Sequence, residues 1–213
     1  MVVTKKSENK LSLERGKLCI DFVNTVDWRN SKKRKKEMLN NFSDMISWGR
    51  QVGILEDKTA QTILKKALQQ PDKTKQVYKQ AIELREVLYR IFSSIATTGQ
   101  APSHDLSIFN KYLADSMGKS CCLIPSQDGF VWSFCSRTDF MDFVLYPIIK
   151  SAADFLVSSD LKRLKQCADD FCGWLFVDKS RNYSRRWCSM KDCGNRAKAH
   201  RHYQRKCQEK NKK

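Results

Sequence analysis

The segment CADDFCGWLFVDKSRNYSRRWCSMKDC, residues 167–193, holds four cysteines in two pairs. Four residues separate the members of each pair, and fifteen residues separate one pair from the other. This arrangement is typical of a structural zinc site, in which four thiolates surround one Zn²⁺ in a tetrahedron. The two equal spacings favour zinc over a redox-active pair or unligated buried thiols. We therefore predict one structural zinc, held by Cys167, Cys172, Cys188 and Cys193.

The chemistry of this predicted site follows from its number of ligands. Four protein ligands leave no open position for water, so a catalytic role for the metal is not expected. A segment of about 45 residues is also too small to fold well on apolar burial alone, and metal binding should supply much of its stability. His200 and His202 could compete as ligands, but residues two apart on a helix point to different sides. We interpret both histidines as surface residues or backbone contacts.

The residues around the cysteines predict a small hairpin and a helix. The apolar residues 173–177 predict a strand, residues 179–182 a turn, and residues 185–187 the return strand. Behind the last cysteine, residues 195–206 predict a helix that Asn195 caps and that has almost no apolar face. Such a helix has to be held at one end, here by the zinc site, and its cationic surface is then free to meet phosphate.

The chain of 213 residues is strongly basic, with 40 Lys+Arg against 23 Asp+Glu and a net charge of +17. Residues 161–213 contain 16 of the basic and 5 of the acidic residues, a net charge of +11. This asymmetry predicts a larger body over residues 1–158 and a small basic module over residues 159–213. The charge also predicts attraction to polyanions, although it says nothing about the fold.

The body is predicted to be mainly helical. Its clearest pattern runs from about residue 73 to 97, where apolar residues recur every three or four positions before Gly99, a residue typical of helix C-termini. The apolar run 18–23 fits either a strand or a buried helix. Further helices are predicted over residues 43–52 with Ser43 as the cap, 58–69, 106–113, 140–157 and 161–166, and a hairpin joins residues 121–124 to 130–135. The fold class is therefore α+β: a mainly α-helical N-terminal domain with a small hairpin, plus a C-terminal four-cysteine zinc finger made of a hairpin and a basic helix.

Segments of both parts resemble known families. The segment CSMKDCGNRAK, residues 188–198, resembles the signature of the CGNR zinc-finger family, which residues 172–182 and 185–187 also fit. The segment LCIDFVNTVDW, residues 18–28, resembles the start of the ABATE-type domain that accompanies this finger in bacteria, and residues 84–89 fit the same domain. The resemblance implies a stress-responsive bacterial transcriptional regulator, with a helical sensor domain and a DNA-binding finger.

The basic residues of the finger predict contacts with duplex DNA. Lysines and arginines would anchor the protein on phosphates, and arginine side chains could also read guanine edges. The candidates lie on the predicted terminal helix and the predicted hairpin beside it: Arg181, Arg185, Arg186, Arg196, Lys198, Arg201, Arg205 and Lys206. Two alternatives remain: a solvated basic face, and an RNA- or ribosome-associated zinc-binding protein, because a basic finger can dock on either polymer. We interpret Trp174 and Trp187 as core of the finger rather than stacking platforms for bases.

A second candidate site lies in the body. Asp21, Asn24 and Thr25 are polar residues beside an apolar run, and Arg85 interrupts the apolar register of the long predicted helix. One interpretation is a pocket for a small-molecule effector in which Arg85 meets an anion. The favoured alternative is a buried Asp–Arg pair or a capping interaction. The basic run 32–36 is interpreted as a solvated loop, with a second phosphate contact as the alternative.

The sequence argues against an enzyme, a membrane protein and a secreted protein. It has no Gly-rich phosphate loop, nucleophile elbow or HExxH motif. No apolar run reaches the roughly 18 to 20 residues that a membrane helix needs, and residues 1–10 are polar rather than a secretory signal. The nine cysteines, an odd number, argue against a disulfide scaffold. We expect a cytoplasmic, nucleoid-associated protein of open oligomeric state, for which a symmetric DNA target would imply a homodimer.

Overall fold

A computed structural model describes residues 17–127, 129–134 and 140–210. Within these ranges the chain forms seven α-helices and three two-stranded antiparallel sheets. The elements follow one another as α1 (Leu18–Val23), β1 (Val26–Asp27), β2 (Lys36–Glu37), α2 (Phe42–Gln51), α3 (Asp57–Gln69), α4 (Pro71–Thr98), α5 (Ser103–Ser120), β3 (Cys121–Ser126), β4 (Gly129–Phe134), α6 (Leu145–Leu156), β5 (Leu164–Gln166), β6 (Leu175–Val177) and α7 (Asn195–Lys210). The predicted fold class, helices with small hairpins and a four-cysteine finger, is confirmed.

The long helix α4 is the centre of the core. It begins with Pro71 in its first turn, where a missing N–H costs nothing, and ends at Gly99 with a left-handed φ of 79°. Its apolar stripe is buried together with α1 and α6, and the rings of Phe92 on α4 and Phe155 on α6 meet edge to face at 5.6 Å. The predicted helix over residues 73–97 and its terminal glycine are therefore confirmed.

Several local predictions need adjustment. The run 18–23 is the helix α1, five of whose six residues are buried, so it shows no polar face that periodicity could have recognised. Asn41 rather than Ser43 caps α2, since its side chain accepts a hydrogen bond from the Asp44 N–H at 2.9 Å. The helix predicted over residues 140–157 is a short 3₁₀ turn, Phe140–Asp142, followed by α6. The hairpin β3–β4 is confirmed, with Leu123 paired to Trp132.

The predicted hairpin of the finger is wrong in its pairing, and so is the predicted helix over residues 161–166. Residues Ser159–Arg163 form a 3₁₀ turn, and β5 follows it and pairs with β6 in the register Leu164 to Val177. The predicted return strand 185–187 is irregular. The reason is burial, because Leu164 and Val177 lie in the main core, and that packing outweighs the local preference of the segment for helix.

The hairpin β5–β6 therefore connects the two predicted parts of the chain. Three of its residues, Leu164, Leu175 and Val177, belong to the core of the helical body. Phe176, which lies between the last two in sequence, packs against the cysteines instead. The boundary at residue 158 stays a prediction. No helix in the described ranges is long and apolar enough to cross a membrane.

Candidate metal centre and nucleic-acid interface

The four paired cysteines converge on one point. The Sγ atoms of Cys167, Cys172, Cys188 and Cys193 all lie within 4.8 Å of one another, and all four residues are buried. The Cys172–Cys188 and Cys188–Cys193 sulfurs are each 3.6 Å apart. Zn–S bonds of about 2.3 Å in a tetrahedron place sulfurs about 3.8 Å apart, so the cluster fits Zn²⁺. Within the described residues the protein has one structural zinc site, formed by these four cysteines.

Each cysteine pair lies on a turn that ends in a glycine. In the first turn the Cys172 N–H donates to the Asp169 carbonyl at 3.0 Å, and Gly173 follows with a φ of 72°. A Cβ on Gly173 would also lie 2.9 Å from Oδ1 of Asn30. In the second turn a Cβ on Gly194 would lie 2.5 Å from the Met190 sulfur. Gly173 is thus required by its backbone conformation, whereas at Gly194 the nearest atoms belong to the end of the exposed Met190 side chain, which can move aside.

Two donors contact sulfurs of the cluster. The backbone N–H of Cys188 donates to the Cys167 sulfur at 3.4 Å. A charged donor is present too, since Arg196 Nη2 lies 3.0 Å from the Cys193 sulfur. These contacts orient the ligands from outside the metal sphere.

Two of the arginines predicted to contact nucleic acid are held by protein groups. Arg196 also donates from Nε to Asp169 at 3.0 Å, and its guanidinium lies 4.1 Å from the centre of the Trp28 ring. Arg185 donates to the carbonyls of Trp187, at 2.9 Å, and Cys188, and lies over the Phe176 ring. We infer that both side chains position the finger. That Arg185 and Arg196 bind nucleic acid stays a prediction, and their hydrogen bonds to protein groups do not support it.

The remaining predicted contacts lie at the surface. The exposed members are Arg181, Arg186, Lys198, Arg201 and Lys206. The side chain of Arg205 lies outside the described residues, although its backbone belongs to α7. His200 and His202 are exposed on α7, and the described metal cluster contains neither. Asn195 is not the N-cap of α7 but its first residue, and it ends the π turn Met190–Gly194, whose N-cap is Ser189.

Asp178 organises the loop that leads to the second cysteine pair. It is fully buried and accepts hydrogen bonds from Lys165 Nζ at 2.7 Å, from Ser180 Oγ at 2.6 Å and from the Arg185 N–H at 3.0 Å. Burial opposes its ionisation, but these hydrogen bonds outweigh burial and hold the pKa of Asp178 well below its ordinary value. This residue replaces the predicted return strand as the organiser of residues 180–186.

The finger is joined to the body by polar contacts as well as by β5 and β6. The Asn24 side chain exchanges two hydrogen bonds with the Leu175 backbone, and Trp174 Nε1 donates to the Val26 carbonyl at 2.9 Å. The Arg29 N–H donates to the Cys172 carbonyl at 3.0 Å. Asn24, predicted as a ligand contact, is therefore occupied in joining the two parts of the chain.

Two other residues of the predicted effector pocket, Thr25 and Arg85, belong to a largely buried polar network. Arg85 donates to both carboxylate oxygens of Glu37, at 2.6 and 2.7 Å, and to Glu86 at 3.0 Å. It also donates to Thr25 Oγ1 at 3.2 Å, and Asp21 is buried on α1. The described hydrogen bonds of Arg85 go to two glutamates and a threonine, and not to the aspartate that the favoured alternative expected. An effector site here stays a prediction.

Together these features define a class: a zinc-finger protein in which a helical domain and a four-cysteine finger share hydrogen bonds and part of one core. Residues 163–206 match the family model of the CGNR zinc finger. Residues 16–159, more than half of the chain, match the ABATE family, described as "Putative stress-induced transcription regulator". The chain belongs to the ABATE family and carries a CGNR zinc finger, which confirms both resemblances. No curated protein matches the chain.

Proposed function

We propose that the protein is a transcriptional regulator that contacts duplex DNA through α7 and the loop before it, in response to a stress signal or effector. The exposure of α7 carries this proposal. From Lys198 onward every described side chain of the helix is exposed. The helix has no acidic residue before Glu209. A helix with this surface gains little from packing on its own protein, and its charge favours a polyanion.

The geometry of α7 suits a nucleic-acid groove. Its 16 residues make a rod of roughly 24 Å, anchored at its first turn by the zinc turn that contains Cys193. The major groove of B-form DNA is about 12 Å wide and admits one α-helix. Zinc-held helices read DNA in this way in several families, which is an analogy of mechanism and not of sequence.

Lys198, Arg201 and Lys206 supply cations on α7, and Arg181 and Arg186 supply two more on the loop before it. If four of these side chains neutralise phosphates, the logarithm of the binding constant should fall against the logarithm of salt concentration with a slope of about −3.6. Base readout would add to this through arginine side chains that reach guanine edges.

The test is an anisotropy titration of the zinc-loaded protein with labelled duplex DNA at several salt concentrations. The double variant Lys198→Ala/Lys206→Ala should bind at least about tenfold more weakly and lose about two units of salt slope. A matched control, Lys58→Ala/Lys65→Ala, removes the same charge from exposed positions on α3 and should bind like the wild type. Equal affinities for the two double variants would contradict the proposal.

Structured RNA is the competing partner in the same assay. The proposal expects unlabelled duplex DNA to displace the labelled duplex at about tenfold lower concentration than a folded RNA of similar length, with salt near 150 mM. Stronger competition by the RNA would instead identify an RNA-associated zinc protein.

A further inference from the structure

A cleft of about 480 Å³ lies where the helical body meets the finger. Six of its lining residues define what we call the seam cleft: Trp28, Arg34, Arg186, Trp187, Arg196 and Arg201. The first two come from the loop between β1 and β2, and the other four from the finger. The volume is within the range of roughly 300–1,000 Å³ that small-molecule sites occupy.

The charge of the seam cleft favours an anion. Four arginines line it against two aspartates, Asp169 and Asp170. Asp169 is already engaged, because it accepts a hydrogen bond from Arg196. Arg34, Arg186 and Arg201 are exposed and carry guanidinium donors that can turn toward a bound oxyanion. The forked donors of arginine match the geometry of phosphate.

The aromatic residues of the seam cleft favour a planar ring. Both tryptophans are half-buried and already stack with cations. The Arg34 guanidinium lies 5.0 Å from the centre of the Trp28 ring, and the Arg186 guanidinium lies 5.4 Å from that of Trp187. A planar ligand group could stack on either indole ring in place of the arginine. The displaced arginine would then lie beside the ligand, where it could contact a phosphate.

The backbone of Trp28 supports a role for this residue beyond packing. Its φ of 50° lies in the left-handed region, which is costly for a bulky side chain. The conformation is held by neighbours on both sides. The Trp28 N–H donates to Asp27 Oδ1 at 2.9 Å, and the next residue, Arg29, is hydrogen-bonded to Cys172 of the finger. The fold thus holds the indole at the cleft against its own backbone preference.

We infer that the seam cleft binds a nucleoside phosphate, with the base on Trp28 or Trp187 and the phosphate on Arg34, Arg186 and Arg201. The same chemistry is offered by a free mononucleotide and by one nucleotide of a nucleic-acid strand. The inference goes beyond the proposed function and does not need α7 to bind a duplex.

The test is calorimetric titration of the full-length zinc-loaded protein with the four ribonucleoside monophosphates, with adenosine, and with inorganic phosphate. At least one monophosphate should bind about tenfold more tightly than adenosine or phosphate alone, because ring and anion are held together. Arg34→Ala and Arg186→Ala should each weaken that binding at least about fivefold. Lys33→Ala, which removes an exposed charge next to Arg34 from a side chain outside the cleft lining, should change it less than about twofold.

A second titration, with a single-stranded pentanucleotide, distinguishes the two sources of the ligand. Tight binding of a monophosphate assigns the cleft to free nucleotides. Binding of the pentanucleotide alone, weakened by Arg34→Ala, assigns it to a strand. The inference is overturned if nothing binds, if phosphate binds as tightly as the nucleotides, or if Arg34→Ala and Arg186→Ala both bind like the wild type. Lys198→Ala/Lys206→Ala should keep nucleotide binding, so a failure of duplex binding is separable from a failure of the cleft.

Discussion

The side chain of Asn24 holds the backbone of Leu175 by two hydrogen bonds. Its Nδ2 donates to the Leu175 carbonyl at 2.8 Å, and its Oδ1 accepts from the Leu175 N–H at 3.0 Å. Both residues are buried. The side-chain amide therefore makes the hydrogen bonds to β6 that a neighbouring strand would otherwise make. It also connects the body to the segment between the two cysteine pairs.

Asn24→Ala should lower the free energy of unfolding by about 2–4 kcal/mol, because it leaves a buried N–H and a buried carbonyl without their partner. Urea denaturation measures the change. Asn110→Ala, at an exposed position on α5, is the control and should stay within about 0.5 kcal/mol of the wild type. Equal stabilities of the two variants would show that this link contributes nothing.

Arg196→Ala should weaken zinc binding about 10- to 100-fold, because its guanidinium donates to the Cys193 thiolate and is itself held by Asp169. Competition with a chromophoric chelator measures the zinc affinity. Arg201→Ala removes a charge five residues further along α7, where the side chain is exposed, and should leave zinc affinity unchanged. A loss of zinc affinity in both variants would point to general weakening of the helix.

Asp178→Asn should lower the free energy of unfolding by about 2–3 kcal/mol at neutral pH. The reason is that an amide replaces a buried carboxylate that accepts hydrogen bonds from charged and neutral donors. The pKa of Asp178 is lowered in the folded protein, so its stabilising effect is present above the unfolded pKa of 3.8 and is lost as pH falls through the folded value. The stability gap between wild type and variant should therefore be constant from about pH 7 to 5 and shrink toward pH 3. Denaturation at these pH values tests the trend, with Asp170→Asn at an exposed position as the matched substitution.

Cys188→Ser should reduce zinc from one ion per chain to none, because three thiolates rarely retain a structural zinc. Hydrogen exchange should then increase in residues 178–194 and in α7, and stay slow in α4. Cys122→Ser, which changes a half-buried cysteine on β3, should retain one zinc. Full zinc content in Cys188→Ser would remove this residue from the ligand set.

The sequence predicted those features that depend on spacing or periodicity. The two cysteine pairs have equal spacing, and the apolar residues of α4 recur every three or four positions. Such patterns are visible in the sequence because zinc coordination and helix geometry require them. The pairing of β5 with β6 could not be predicted in this way, because Leu164 and Val177 are placed by the core of the whole protein. The sequence also does not show which way an arginine side chain points. Arg185 and Arg186 are adjacent and chemically identical, yet one donates to backbone carbonyls and the other is exposed.

The position of β6 between β5 and Asn24 has a consequence for the proposed DNA binding. A finger on a flexible linker can adjust to half-sites at different separations. Here the strand leading out of the first cysteine pair is fixed to the body, so under the proposed DNA binding α7 would keep one direction relative to the body. The operator spacing read by two copies would then be set by how their bodies associate, and new spacings would arise from changes on the body surface rather than in a linker.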